Sequence, residues 1–226
     1  VYKRQLLGKP SPEVGTTIYR PPYTPTAIGA FAGRSRDKDF RPVRKTPSHI
    51  WAEEKGAVFV EVGMWMRAQW FPEKGETHWR QSVDREVLQT RKSVGVCDVT
   101  TLGKVDVQGK DAASFLNLIY CNGFAKLAIG KTRYGLMLRE DGIALDDGTA
   151  ARLDENHFVV TTTTANAVSV YRHMEFVRQC LYPKMDVQLI STTEAWAQFA
   201  VAGPNSRSVL RKIVDNYHSL QNKSSK

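Results

Sequence analysis

The stretch YGLMLREDGIALDD, residues 134–147, constrains the fold of this chain more than any other. Its pattern up to Arg139 predicts a half-buried β-strand. The turn residues Glu-Asp-Gly follow, and Gly142 can adopt the positive φ that a tight hairpin requires. A second short apolar run then leads directly into two adjacent carboxylates, Asp146 and Asp147. We therefore predict a hairpin whose second strand carries an acidic pair.

The two carboxylates cannot share one environment. Because adjacent residues on a strand point to opposite faces, at most one of Asp146 and Asp147 can enter a pocket. The other must be solvated or hydrogen-bonded. A turn acid that closes a hairpin is the alternative interpretation of an Asp-Asp-Gly sequence.

The composition is that of a globular protein. With 226 residues, 42% of them hydrophobic, the chain can hold one domain with an appendage or two small domains. No apolar run approaches the ~20 residues needed to cross a bilayer, and no cleavable leader is visible, so we expect a cytoplasmic protein with no membrane partner. The three cysteines fit no metal spacing, and we expect reduced, buried thiols (Cys97, Cys121 and Cys180).

The formal net charge of +9 raises the question of a nucleic-acid partner. Residues 1–50 hold most of the excess, with ten Lys and Arg against three Asp and Glu. They lack the dense cluster of about 5–8 basic residues that is typical of a nucleic-acid patch. An anionic ligand or an acidic partner subunit would use the same charge. We therefore expect no nucleic-acid partner.

Residues 1–47 are predicted to form an extended strap. Proline lacks a backbone donor and biases the residue before it toward extended backbone, and seven prolines interrupt this region (Pro10, Pro12, Pro21, Pro22, Pro25, Pro42 and Pro47). Aromatic side chains would anchor the strap on a surface outside this chain (Tyr19, Tyr23, Phe31 and Phe40).

In the segment 48–80 that follows, we expect four tryptophans to be buried, since each removes a large apolar area from water (Trp51, Trp65, Trp70 and Trp79). The wall of a pocket for a flat ring is the alternative.

From residue 82 onward, helices and strands follow each other regularly. The helices are predicted over residues 82–93, with Ser82 as N-cap, over 111–122 and 165–181, and from 204 onward. The strands are predicted over 94–100, 103–109, 134–139, 143–153, 157–164, 185–192 and 195–203. Strands in hairpins that alternate with packed helices indicate an α+β fold dominated by antiparallel sheets.

Most enzyme templates are missing from the sequence. It has no Walker loop, no glycine-rich dinucleotide motif and no Gly-x-Ser-x-Gly elbow, and its five histidines form no pair at metal-ligand spacing, so no metal site is expected. What remains is the carboxylate of Asp146, the ring of Tyr134 and the threonine tract 161–164. A buried carboxylate beside aromatic walls and hydroxyls suits a flat, nitrogen-rich heterocycle, whose ring N–H groups it would bind.

Four segments occur in an order that resembles one enzyme family: GVCDVTTLGKVDVQGKDAASFLN, GKTRYGLMLREDGIALDD, HFVVTTTT and FAVAGPNSRSVL. Over residues 82–214 the chain is similar to the N-terminal part of the glycine-cleavage T-protein, an aminomethyltransferase that binds tetrahydrofolate. The preceding GKPSPEVGTTIYRPPYTPTAIGAFAGR and FRPVRKTP are similar to a junction in the alpha-subunit family of heterotetrameric sarcosine oxidases. That junction joins the dinucleotide-binding and folate-binding parts.

The resemblance implies a T-protein-like folate-binding domain and its site residues. Asp146 matches the catalytic aspartate at the reacting folate nitrogen. The other residues implied to bind folate are Leu102, Tyr134, Asp147, Val160 and Thr161. Thr161 departs from the Asn that T-proteins often have at this position, and Asp141 departs from the first glycine of the family's turn.

The resemblance also implies the domain organisation and the reaction. Residues 1–47 would be a linker from an upstream dinucleotide-binding domain, and residues 48–226 the N-terminal part of a folate-binding domain whose C-terminal part is missing. The chain lacks an initiator Met and ends in a polar tail, as expected for a fragment that is inactive alone. The whole enzyme would demethylate sarcosine oxidatively to glycine and form 5,10-methylenetetrahydrofolate. It would hold FAD, FMN and NAD outside this fragment, with a flavin-bearing beta subunit as the chief partner in the heterotetramer.

Other functions stay open at this point. The chain could be a stand-alone T-protein or a relative of dimethylglycine oxidase, although a stand-alone enzyme has nothing for a strap to wrap. It could be a non-catalytic folate-binding accessory protein in tRNA modification or iron–sulfur assembly. It could also be an interface domain whose pocket has decayed.

Overall fold

The computed structural model describes Gly8 and residues 43–214. The chain divides into two units between Val43 and Arg44, and the strands and helices of the described residues all belong to the second unit. The aromatic anchors predicted for the strap and the polar C-terminal tail lie outside the described residues.

Ten strands and five α-helices make up the described part of the second unit. The strands are β1 (Arg44–Lys45), β2 (Val58–Val62), β3 (Trp65–Trp70), β4 (Gly95–Asp98), β5 (Gly103–Gln108), β6 (Thr132–Leu138), β7 (Ala144–Asp154), β8 (His157–Thr162), β9 (Gln188–Ser191) and β10 (Phe199–Ala202). The helices are α1 (His49–Glu54), α2 (Trp79–Lys92), α3 (Ala112–Ile119), α4 (Ala167–Phe176) and α5 (Ser206–Ile213). A 3₁₀ turn, Thr164–Asn166, precedes α4, and a π-helical turn, Val177–Leu181, extends it. No helix among these residues is long and apolar enough to cross a bilayer.

The strands form three sheets. The largest has five strands in the order β6-β7-β8-β5-β9, and every neighbouring pair is antiparallel. A three-stranded sheet has the order β1-β3-β2, in which β1 runs parallel to β3, and β4 pairs with β10 in a two-stranded sheet. The predicted α+β class with dominant antiparallel pairing is confirmed.

The core lies on one face of the five-stranded sheet. Alternate residues of β5 and β8 point into it, and α3 and α4 cover it with their apolar side chains (Val105, Val107, Phe158, Val160, Phe115, Leu116, Val170 and Met174). Each fully buried side chain of this size contributes about 1.5–3 kcal/mol of hydrophobic stabilisation. This apolar layer fixes the positions of the strands that carry the predicted site.

Helix α2 begins three residues before the predicted start. His78 caps it, since its Nδ1 accepts a hydrogen bond from the backbone N–H of Arg80 at 3.2 Å, while the Gln81 side chain accepts from the N–H of His78. Histidine is outside the usual set of N-cap residues, so the predicted cap, Ser82, was wrong. Ser82 is buried inside the helix and donates to Glu76 at 2.6 Å.

The burial expected for the tryptophans and cysteines was largely wrong. Among the four tryptophans of residues 48–80 only Trp65 is buried, whereas Trp51 and Trp79 are about half exposed. Their rings pair at the surface, Trp51 with Phe71 and Trp79 with Trp70, because three short strands offer too little area to cover them. The three cysteines are free, as expected, but all are exposed.

Candidate functional site

The predicted hairpin is present as β6 and β7. Tyr134 pairs with Thr149 and Met137 with Asp146, and Gly142 occupies the turn with a φ of 81°. A β-bulge between Met137 and Leu138 shifts the register next to the turn. The acidic pair therefore lies on β7, the second strand of the sheet, between the edge strand β6 and β8.

The acidic pair lies across the two faces of the sheet, as the strand period predicts. Asp146 points to the core side and is 7% exposed, whereas Asp147 is exposed on the opposite side. The prediction that only one of the two could enter a buried site is confirmed.

Asp146 is held by two N–H donors from the turn that follows β8. The backbone N–H of Thr163 donates to one carboxylate oxygen at 3.1 Å, and the side-chain amide of Asn166 donates to the other at 3.1 Å. The Asn166 amide also donates to the carbonyl of Leu145 at 3.1 Å. Donors that bond a carboxylate fix its orientation. Such a group is suited to accepting or steering a proton at one defined position.

The buried Tyr120 lies close enough to Asp146 for the carboxylate to affect its pKa. Burial raises the pKa of this tyrosine, and the negative charge of Asp146 raises it further. Its ring lies against Gly135, where a Cβ would come within 2.9 Å of it. The core side of the hairpin thus combines one oriented carboxylate with a neutral, buried phenol.

The opposite side of the hairpin carries a second polar cluster, here called the open-face cluster: Tyr134, Asp147, Thr149 and Thr161. The Tyr134 hydroxyl donates to Asp147, and this bond raises the pKa of the phenol. The hydroxyls of Thr149 and Thr161 lie 2.8 Å apart, and Thr161 also accepts the N–H of Thr149 at 2.9 Å. The Tyr134 ring itself is 58% exposed. The cluster offers a flat aromatic surface beside a carboxylate and hydroxyls.

The threonine tract, residues 161–164, contributes polar groups to both faces of the sheet. Thr161 belongs to the open-face cluster, whereas the N–H of Thr163 reaches Asp146. Thr164 is buried, with its hydroxyl 3.0 Å from that of Thr101. Tyr134 and Thr161 therefore lie beside Asp147, and not beside Asp146, which the sequence analysis grouped with them. Asp146 lies behind the sheet because the side chains of a strand alternate.

The remaining predicted site residues occupy different environments. Val160 is fully buried in the core, between its cross-strand partners Val105 and Ala150. Leu102 is partly buried in the loop between β4 and β5. It lies outside both polar clusters, as far as the described contacts show.

Sequence reasoning missed Lys104, which secures the Leu102 loop. Its Nζ donates to the carbonyls of Thr100 at 2.7 Å and Leu102 at 2.9 Å, and burial lowers its pKa against the opposing effect of Asp98. Lys104 alternates with valines in β5 as Asp106 and Gln108 do, so the strand pattern alone did not distinguish it. Nothing in the local pattern singled out the other missed residues, Asn166 and Thr149.

A cavity of about 160 Å³ opens elsewhere, between β5, α4 and β9. Its lining includes Lys104, Tyr171 and Thr193 but none of the predicted site residues. Within residues 43–214, no group of three or more His, Cys, Asp or Glu side chains could hold a metal ion.

The chain is similar to known proteins over most of its length. The sarcosine oxidase subunit alpha of Rhizobium meliloti (strain 1021) is 58% identical over 203 residues, which are 90% of this chain and 21% of that protein. The same subunit of Corynebacterium sp. (strain P-1) is 47% identical over 92% of this chain and 22% of its own length. The chain therefore spans about a fifth of the length of these relatives.

Aminomethyltransferases are more distant relatives. That of Staphylococcus epidermidis (strain ATCC 12228 / FDA PCI 1200) is 28% identical over 76% of this chain and 44% of its own length. The crystal structure of the glycine cleavage system aminomethyltransferase T from Bartonella henselae superimposes with a TM-score of 0.66 at 26% identity, covering 75% of this chain and 43% of that one. Residues 48–224 match the GCVT N-terminal domain. The chain belongs to this family of GCVT N-terminal domains.

Proposed function

We propose that this chain is the folate-side part of a sarcosine oxidase alpha subunit, which passes the carbon removed from sarcosine to tetrahydrofolate. The observation that carries the proposal is the 58% identity over 203 residues to a sarcosine oxidase subunit alpha. In this assignment residues 1–47 are a linker from a dinucleotide-binding domain, and residues 48–226 begin the folate-binding domain.

The proposed reaction has two steps, an oxidation that requires a flavin as electron acceptor and a carbon transfer that requires only tetrahydrofolate. Oxidation of the N-methyl group removes two electrons and leaves an iminium ion; a flavin outside this chain supplies that oxidation. The iminium carbon then forms bonds to two nitrogens of tetrahydrofolate, and its bond to the glycine nitrogen breaks. The two protons displaced from the folate nitrogens leave on the amino group of glycine. The products are glycine and 5,10-methylenetetrahydrofolate.

Asp146 is the residue we assign to the proton transfer. Two fixed N–H donors orient its carboxylate, and the adjacent phenol of Tyr120 stays neutral because burial raises its pKa. A positioned carboxylate can receive a proton from a folate nitrogen and stabilise positive charge on the transferred carbon. The larger part of the rate enhancement would come from holding that nitrogen next to the iminium carbon.

We also assign the open-face cluster to folate binding, at a part of the ligand away from the nitrogen that reacts at Asp146, because the two groups lie on opposite faces of the sheet. The exposed ring of Tyr134 supplies an apolar surface, Asp147 can accept ring N–H groups, and Thr161 offers a hydroxyl. Leu102 would pack against the ring, and Val160 would support the strand from the core side. We assign FAD, FMN and NAD to other parts of the complete protein, and we expect a flavin-bearing beta subunit to be its partner.

Incubation of the complete protein with sarcosine, with and without tetrahydrofolate, tests this function. Without the acceptor, the iminium ion should hydrolyse and release formaldehyde. With the acceptor, the same amount of carbon should appear as 5,10-methylenetetrahydrofolate at an unchanged rate of sarcosine oxidation. Formaldehyde release that tetrahydrofolate does not reduce would contradict the proposal.

An aminomethyltransferase that works without an oxidase is the second candidate. The likeness to the Bartonella henselae aminomethyltransferase, with a TM-score of 0.66, favours it. Such an enzyme would consume no free sarcosine, so the same incubation separates the two candidates.

A further inference from the structure

The β2–β3 hairpin ends in a two-residue turn with unusual backbone angles. Val62 pairs with Trp65, and the residues between them, Gly63 and Met64, have φ values of 54° and 70°. Positive φ at both positions is typical of a type I′ turn, in which the second residue is usually glycine. A methionine rarely adopts this conformation, so the surrounding structure must hold the tip in place.

The tip is fixed from two sides. The backbone N–H of Arg44, in β1, donates to the carbonyl of Met64 at 2.7 Å. On the other side, Gly63 lies directly against the 3₁₀ turn before α4. A Cβ at Gly63 would come within 3.0 Å of the Cα of Ala165 and 3.1 Å of the carbonyl oxygen of Thr164. A side chain at Gly63 would therefore press on the turn and require it to shift by a few tenths of an ångström.

The same 3₁₀ turn carries both donors to Asp146. Thr163 and Asn166 flank the Thr164–Ala165 pair that Gly63 contacts. A shift of the tip would therefore move the turn, and with it the two N–H groups that orient the carboxylate.

We propose that the Gly63–Met64 tip is a positioning element for Asp146, which acts through the Thr163–Asn166 turn without touching the reacting atoms. The inference depends on the proposed function, in which Asp146 serves the transfer of carbon to folate. It explains why a methionine at positive φ and a glycine in close contact with the turn occur at the tip of an otherwise ordinary hairpin.

Gly63→Ala in the complete protein tests the contact, and Gly56→Ala is its matched control. Both replace a glycine at positive φ, but at Gly56 an added Cβ has no atom within 4 Å, and Gly56 lies outside the hairpin that carries Asp146. Misplacing a catalytic group by a fraction of an ångström should slow folate loading about tenfold in Gly63→Ala. Gly56→Ala should load at the parental rate, and sarcosine oxidation should be unchanged in both variants.

A double-mutant cycle with Asp146→Asn separates positioning from general damage. If the tip acts through Asp146, Gly63→Ala should cause no further loss once that carboxylate is gone. An equal loss in both backgrounds would overturn the inference, as would loading by Gly63→Ala at the rate of Gly56→Ala. If Asp146→Asn itself loads folate normally, the role proposed for Asp146 fails, whatever the tip does.

Met64→Gly covers the case in which Gly63→Ala does not fold. It adds no atom, relieves the strained φ and lets the tip move more freely. Folate loading should fall about two- to fivefold, again only when Asp146 is present, by the same misplacement argument. A melting temperature equal to or above that of the parent would show that lost stability is not the cause. Parental loading in Met64→Gly would overturn the inference.

Discussion

The two faces of the five-stranded sheet are made from alternate residues of the same strands, yet they serve different ends. The core face buries Val105, Val107 and Phe158 almost completely beneath α3 and α4. The other face exposes more than half of Tyr134 and nearly half of Leu153, and it holds its polar groups in hydrogen-bonded pairs. The first face determines the fold, and the second holds the cluster that we propose to bind folate.

The two residues of the acidic pair differ in the same way, since one lies on the buried face and the other on the exposed face. Asp146, on the core side, is oriented by two N–H donors from a turn that a second hairpin supports. Asp147 is exposed and bonds the hydroxyl of Tyr134. If this contrast decides their roles, Asp146 should govern the rate of the chemistry and Asp147 the binding of the ring.

The largest expected effect is that of Asp146→Asn, which keeps the size of the side chain and removes its charge. Loss of a positioned acid–base group typically costs about 10²–10⁴-fold, so 5,10-methylenetetrahydrofolate should form that much more slowly in the complete protein. Sarcosine oxidation should continue, and formaldehyde should replace the folate product. Both products would be measured in one reaction.

Asp147→Asn is the matched control for that experiment, since it makes the same change one residue away. It should leave the transfer rate within about tenfold of the parent, because Asp147 is not expected to exchange a proton with the reacting nitrogen. Equal losses in the two variants would show that the sheet does not separate the roles. Loss of oxidation together with folate loading would indicate misfolding.

The next effect concerns stability and compares the two faces directly. Phe158→Ala removes a ring from the centre of the core and should lower the free energy of unfolding by about 3–5 kcal/mol. Leu153→Ala, on the exposed side of β7, should change it by no more than about 0.5 kcal/mol. Urea unfolding of both variants would measure the difference. Comparable losses would mean that the exposed face is covered in the complete protein.

The sequence was enough to predict what depends on local periodicity. The hairpin around Gly142, the antiparallel strands and the opposite orientations of Asp146 and Asp147 all follow from the two-residue period of a strand. Contacts between distant segments could not be read in this way. The donors to Asp146 come from a turn about 20 residues away in sequence, and the support for that turn comes from Gly63, so only the folded chain shows them.

A smaller effect is expected for the aromatic surface of the open-face cluster. Tyr134→Ala removes the ring and should weaken tetrahydrofolate binding by about two- to tenfold, the usual value of one aromatic contact. Tyr134→Phe keeps the ring and should bind within about twofold of the parent. A fluorescence titration with tetrahydrofolate would compare them. If removal of the hydroxyl costs as much as removal of the ring, hydrogen bonding rather than stacking holds the folate.

The smallest expected effect is a change in the pKa of the Tyr134 phenol, which reports on its hydrogen bond with Asp147. The carboxylate accepts the phenol proton and its charge opposes the phenolate, so the pKa of Tyr134 lies above its usual value of 10. A raised pKa in the folded state means that the pair stabilises the fold below pH 10 and loses this contribution as the pH rises through the folded pKa.

In Asp147→Asn the phenol should ionise at a lower pH, close to that of a free tyrosine. Tyrosinate absorbance, taken as the difference from Tyr134→Phe, would follow this one group. The pKa of Tyr171, which burial and Glu175 raise, should not move and serves as the internal reference. An unchanged titration of Tyr134 would show that the pair is not formed in solution, and the open face would then lose the contact that orients its carboxylate.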